Sequence, residues 1–172
     1  MSSDNVRGAD NQQESRIRII SDEYFAGFID GEGCFYVGFS RRKDLPLKWQ
    51  IITEFHVSQN PGGKNILQSL KKRLDCGYLK PNHPKSSKDK SWVLVVKNRR
   101  DLEGKVLPFF RNCPLFSDKR KDLEIFRKTL KIIKKKEHLR KKGFKKIVKL
   151  VFSNKKTTNK KYSKEFIISS FS

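Results

Sequence analysis

The chain has 172 residues, enough for one domain with a single core, and forty Lys and Arg against eighteen Asp and Glu leave a formal charge of +22. A surplus that large repels itself unless a polyanion neutralises it, which points to nucleic acid; no apolar run approaches the roughly 18 residues a membrane-spanning helix needs. Cys34, Cys76 and Cys113 are odd in number, far apart and without CxxC or Cys/His metal spacing, so they are expected to be reduced core thiols, and with no signal-peptide pattern the protein is expected to be soluble and intracellular.

Residues 1–20 carry three acids and three arginines, are rich in Ser, Asn and Gln, and lack apolar periodicity until Ile17, so they are predicted to be a disordered lead-in. A domain is predicted over 21–152, followed by a basic C-terminal tail over 153–172. The first helix opens at Ser21, a good N-cap, with Asp22 and Glu23 in the first turn, where acids suit the dipole. It continues through Tyr24, Phe25, Phe28 and Ile29, with small residues at Ala26, Gly27 and Gly31. A glycine costs a helix about 1 kcal/mol against alanine, so something must offset Gly27 and Gly31. Four apart, they share a face that would let another helix backbone approach closely.

The helix ends at Asp30-Gly31-Glu32-Gly33. A carboxylate there meets the negative end of the dipole, unfavourable by about 0.3–1 kcal/mol unless a cation reverses the sign. By itself the turn also fits an ordinary acidic helix end with a glycine cap. The whole string Phe25-Ala26-Gly27-Phe28-Ile29-Asp30-Gly31-Glu32-Gly33, however, resembles the LAGLIDADG homing-endonuclease signature and is identical to it at Ala26, Gly27, Ile29, Asp30 and Gly33. The resemblance implies that two motif helices pack together, through Phe25, Ala26, Gly27, Phe28 and Gly31. It implies that the eighth-position acid, here Glu32, binds the catalytic divalent metal, Mg²⁺ or another divalent cation. Asp30, in the sixth position, is then structural. The signature's name spells Asp where this chain has Glu32, an acid the family accepts.

Cys34 to Phe39 reads as a strand, Ser40 to Lys48 as a basic connection, and Trp49 to Ser58 as a second, alternating strand. Trp49, Ile51, Thr53, Phe55 and Val57 are assigned to the core. Gln50, Ile52, Glu54, His56 and Ser58 share the other face, which suits reading base edges in a major groove that admits a two-stranded ribbon. Tyr36, Ser40, Arg41, Arg42 and Lys48 join this DNA-binding set. Phe55 to Gln59 resembles the family's strand ending in a solvent-positioning polar residue, which implies a catalytic role for Gln59, with Lys64 as a substitute for the basic residue that often follows.

Ile66, Leu67, Leu70 and Leu74 recur at helical spacing within Asn65 to Asp75. Gly77 to Lys80 and Ser91 to Lys97 form a second hairpin around a polar stretch, adding Lys80, Asn82 and His83 to the contact set. Pro114-Leu115-Phe116-Ser117-Asp118-Lys119 resembles the family segment in which a lysine approaches the scissile phosphate. Lys119 is the match and Lys121 the runner-up. From Leu123 a long amphipathic helix carries Phe126, Leu130 and Ile133, with a run of lysines expected to grip phosphates. Gly143 is expected to break the pattern before a short helix over Phe144 to Phe152. Asn154 to Lys161 reads as a basic turn, and the end of the chain fits a helix or a strand equally.

The resemblance, over roughly residues 22–135, implies an α+β αββαββα unit with a four-stranded antiparallel, saddle-shaped sheet. With one motif per chain, a homodimer is expected on a long pseudo-palindromic double-stranded DNA site. Its charge, twice +22 or +44, matches the roughly 40 phosphates of about 20 base pairs. The activity implied is that of an intron-encoded, Mg²⁺-dependent DNA endonuclease in an organelle or a bacterial cytoplasm, with no membrane partner. The alternative is a splicing cofactor for intron RNA on the same fold, over which Glu32 and Gln59 favour the nuclease.

Overall fold

The computed structural model describes residues 20–154 and 161–171. The lead-in predicted for 1–20 lies outside these residues but for Ile20, as does most of the basic turn from Asn154 to Lys161. The chain opens with α1 (Asp22–Glu32), whose Ser21 cap accepts a hydrogen bond from the Tyr24 N–H at 3.2 Å. β1 (Gly33–Arg41) follows without a linker and pairs antiparallel with β2 (Trp49–Gln59), Gly33 opposite Val57 and Arg41 opposite Trp49. After α2 (Lys64–Leu74) come β3 (Tyr78–Pro81) and β4 (Trp92–Val96), and the four strands lie in the order β1-β2-β4-β3.

One face of this sheet is buried and the other is open. Phe35, Val37, Ile51, Phe55, Val57, Leu94 and Val96 point from the strands into the core, where α1 contributes Phe25, Ala26 and Ile29 and α2 contributes Leu67, Leu70 and Leu74. The alternation expected of β2 holds, with every odd residue from Trp49 to Val57 buried. An Arg73–Asp22 ion pair ties α2 to the start of α1.

Gly33 is needed at the junction of α1 and β1. A Cβ there would come within 2.5 Å of Ile29 Cγ2 and 2.6 Å of the Ile29 carbonyl oxygen. Gly33→Ala is therefore expected to lower stability by about 1–3 kcal/mol, as overpacking does, which thermal unfolding would register. An unchanged melting temperature would show that the junction can shift.

The helical layer exceeds the expected αββαββα unit. α3 spans residues 99–112 as Arg99–Asp101, a π-helical turn Leu102–Val106, and Leu107–Asn112. Pro108 cannot donate a fourth-neighbour hydrogen bond, and the widened turn before it accommodates the ring without ending the helix. α4 (Lys119–Lys134) crosses the sheet's core face, with Phe126 against Phe35 at a ring-centroid distance of 5.7 Å. α5 (Lys141–Ser153) runs straight through Gly143, where a break was expected. Gly143 is buried because a Cβ there would lie 2.1 Å from the Glu137 carbonyl, so the residue permits close packing on the preceding turn.

The chain closes with α6 (Lys164–Ser169), which docks on the body. Ile167 is wholly buried, and Trp49 donates from Nε1 to Ser170 Oγ at 2.7 Å. Cys76 and Cys113 are buried free thiols, as expected. Cys34 is exposed, because strand alternation puts it on the open face beside Tyr36.

Candidate functional site

The residues singled out at the motif come together where α1 ends. Asp30 turns sideways to the loop before α4, accepting from the backbone N–H groups of Phe116 (3.0 Å) and Ser117 (2.9 Å) and from the Ser117 hydroxyl. Burial pushes its pKa up, but these three donors and the Lys119 charge outweigh that and hold the carboxyl below its ordinary value. Asp30 is thus a structural clasp between α1 and α4, as its motif position implied.

That clasp brings in Lys119. Its ammonium donates to the carbonyls of Gly31 (2.8 Å) and Ile29 (3.2 Å), placing a cation on the negative end of the α1 dipole. Burial lowers its pKa, opposed by Asp30, Cys34, Glu32 and Asp122. Lys121 instead points outward to Asp118, at 3.1 Å. Glu32 is exposed and forms no hydrogen bond or ion pair among the described residues. Gln59 lies two residues beyond the Gly33–Val57 pair, at the same end of the sheet. Its Oε1 accepts from the Asn60 N–H at 2.8 Å, and its side chain occupies space that a Cβ on Gly63 would fill. Lys64 sits 3.6 Å over the Trp92 ring, and Trp92 pairs with Gln59.

Among the described residues, nothing covers the glycines on the outer face of α1. Helical periodicity turns Phe25 (2% exposed) and Ala26 (5%) into the chain's own core, which removes them from the expected helix-pairing surface. Tyr24, Gly27 and Gly31 form the outward stripe, with Phe28 half-buried against the core at its edge, and among the described residues a Cβ on either glycine would meet nothing within 4 Å. Phe116, 87% exposed, flanks this stripe from the Asp30 side. It lies inside a recognised segment, yet only its exposure reveals it.

The open sheet face carries Tyr36, Ser40, Gln50, Ile52, Glu54, His56 and Ser58, as expected, with Lys80 on β3. Arg41 is an exception. Alternation places it with Phe39 and Val37, and its guanidinium stacks over Trp49 at 4.5 Å and Phe166 at 5.1 Å. Arg42 pairs with Asp44 at 2.9 Å and reaches Gln50, while Lys48 bonds the Lys43 carbonyl within the β1–β2 turn. Asn82 and His83 begin the β3–β4 turn, where His83 approaches Asp89 at 3.5 Å.

Glu54 organises the middle of this face. Its two oxygens bond His56 Nε2 and Lys97 Nζ, each at 2.7 Å, and the His56 ring stacks on Tyr36. Burial lowers the His56 pKa, and Glu54 pulls it back up, so the imidazole is neutral at neutral pH. Lys97 was overlooked in the sequence, although alternation through Val93 and Val95 places it on this face. Removing the carboxylate as Glu54→Gln leaves burial unopposed. The His56 imidazole is then expected to titrate at lower pH by NMR, and an upward shift would contradict the pairing.

A sequence model of the LAGLIDADG endonuclease family matches residues 25–130. The chain belongs to the LAGLIDADG endonuclease family. Among its relatives is a probable intron-encoded endonuclease of Neurospora crassa, 29% identical over 74% of this chain and 26% of that protein. The chain spans about a quarter of the length of the first curated relatives it matches. Of solved structures, the homing endonuclease I-TnaI superposes with a TM-score of 0.75 and 32% identity, covering 88% of this chain and 95% of that one. The meganuclease I-SmaMI, bound to DNA, superposes at 0.73 and 28% identity, covering 80% of this LAGLIDADG chain and 46% of that one.

Proposed function

We propose that this chain is a site-specific double-strand DNA endonuclease that works as a homodimer with a divalent metal, Mg²⁺ being the expected ion. The observation that carries this reading is Glu32. An uncommitted carboxylate stands at the end of a helix whose outer glycine face is bare, next to a lysine locked on the same helix end. Among the described residues no group of three or more His, Cys, Asp and Glu is placed to hold an ion. Mg²⁺ takes six oxygens, so one chain fits it as half a site, with Glu32 of a second copy, phosphate oxygens and water supplying the rest. The bound metal would supply activation of water and stabilisation of the leaving oxygen.

The chain's own groups have separate tasks in this reading. Bare glycines on α1 let two motif helices meet closely enough to bring the two Glu32 side chains together. Asp30 holds the α4 loop so that Lys119 stays at the helix end, where its charge opposes the negative charge that develops on phosphate. Gln59 orients water through its amide. Tyr36, Gln50, His56, Ser58 and Lys97 meet base edges and phosphates from the open face.

The relatives named as endonucleases favour the nuclease over the intron-RNA splicing cofactor, and the intron-encoded relative supports an intron origin within an organelle or bacterial cell. No helix among the described residues is long and apolar enough to cross a membrane. The test is incubation with Mg²⁺ and a plasmid carrying the intronless allele. Double-strand cuts at one site support the reading. Intact plasmid, with rescue of intron splicing instead, would overturn it.

A further inference from the structure

The charge match between dimer and target assumes that the basic residues can all reach one duplex, and the fold does not allow that. α4 turns Leu123, Phe126, Leu130 and Ile133 toward the core face of the sheet, and α5 does the same with Phe144, Ile147 and Val151. Residues three and four apart share a helix face, so Lys128, Lys131 and Lys135 form one outward stripe and Lys142, Lys146 and Lys149 another. All six are exposed on the side of the helical layer away from the open sheet face. A helix is about 10–12 Å across and the physiological Debye length is about 8 Å, so these charges are screened from DNA lying on the sheet.

The two stripes border open concavities. One, of about 450 Å³, is lined by Lys128, Lys131, Lys135 and Lys146, four cations against the one carboxylate of Glu137, with Ile132 and Leu150 at its floor. Its neighbour along α5, of about 520 Å³, is lined by Lys142, Lys146 and Lys149. Among the described residues, only Lys128 of the six has an ion pair, with Glu124 at 3.5 Å. Among the described residues no aromatic side chain lines either concavity, so unpaired bases have nothing to stack on there, whereas a duplex backbone needs only cations. The stripe from Lys128 to Lys135 runs about 10 Å, the rise of about three base pairs.

We propose that this outer helical face is a second, sequence-independent site for duplex DNA, so that a molecule seated on one segment holds another on its back. The inference rests on the DNA-binding role proposed for the open sheet face. The occupant is DNA because, around a protein already seated on its target, flanking DNA is the polyanion at the highest effective concentration.

The test uses the full chain and two 30-base-pair DNA duplexes of unrelated sequence carrying different fluorophores, with energy transfer and co-sedimentation reporting bridging. The expected result is bridging that Lys131→Gln/Lys135→Gln/Lys146→Gln/Lys149→Gln abolishes while one duplex still binds. If all four lysines contact phosphate, they account for about 3–4 of the salt slope of the second binding step in the parent chain. Circular dichroism checks that the variant is folded, and a second set, Lys131→Arg/Lys135→Arg/Lys146→Arg/Lys149→Arg, is expected to keep bridging. One duplex bound without a second, bridging undiminished in the glutamine variant, or preferential displacement of the second DNA by an RNA duplex would overturn the inference. Failure to bind any duplex would instead overturn the DNA-binding reading beneath it.

Discussion

Replacing Glu32 by glutamine is expected to reduce double-strand cleavage by about 10²–10³ or more, the loss that follows removal of one preorganised charge-stabilising group. Folding should be unaffected, because Glu32 is exposed and has no hydrogen bond or ion pair among the described residues. Binding of the target should survive as well. A mixing experiment sharpens this result. If each cleavage event needs Glu32 from both copies, equal amounts of parent and Glu32→Gln chains retain about one quarter of the activity, since random pairing leaves that share of all-parent dimers. If one intact chain in a dimer is sufficient, the mixture retains about three quarters, and if the chain cuts as a monomer it retains about one half.

Gly27→Leu is expected to abolish dimerisation and cleavage while leaving the chain folded. Beyond the backbone of α1 itself, no atom of the described residues lies within 4 Å of where a Cβ on Gly27 would be, so there is room for a leucine on this face. By helix propensity alone it should favour α1 by up to about 1 kcal/mol over glycine. The same side chain would prevent two motif helices from meeting at close range. Size-exclusion chromatography and circular dichroism separate the outcomes: a folded monomer is expected, and a dimer of unchanged affinity would remove α1 from the interface. The contrast with Gly33→Ala is informative, because Gly33 serves packing within the chain, whereas a Cβ on Gly27 would meet none of the other described residues.

Much of the site was legible because its signals are local. The glycine spacing of α1, the cap at Ser21 and the period-two pattern of β2 each depend on near neighbours in sequence, and each reappears in three dimensions. The distinction between Lys119 and Lys121 needed the fold, since only the Asp30 clasp brings the α4 loop to the motif helix. α3 received no assignment from the sequence, because Gly104 and Pro108 disfavour a helix interior and only the π-turn accommodates both. Gly143 misled in the same way, because the reason for glycine there is a carbonyl six residues upstream. Arg41 and Lys97 exchanged prominence through alternation alone, the first stacking on Trp49 and the second pairing with Glu54. Docking of α6 depends on Trp49, Tyr162 and Phe166 meeting across more than a hundred residues, which no local pattern encodes.

The most direct measurement is the protein mass bound to one duplex of the intronless allele, by sedimentation in the presence of Ca²⁺ to hold the complex uncut. Two chains per duplex are predicted, with Gly27→Leu giving no such complex. A single chain on each duplex that goes on to cut both strands when Mg²⁺ replaces Ca²⁺ would contradict the pairing of Glu32 carboxylates on which the mechanism depends.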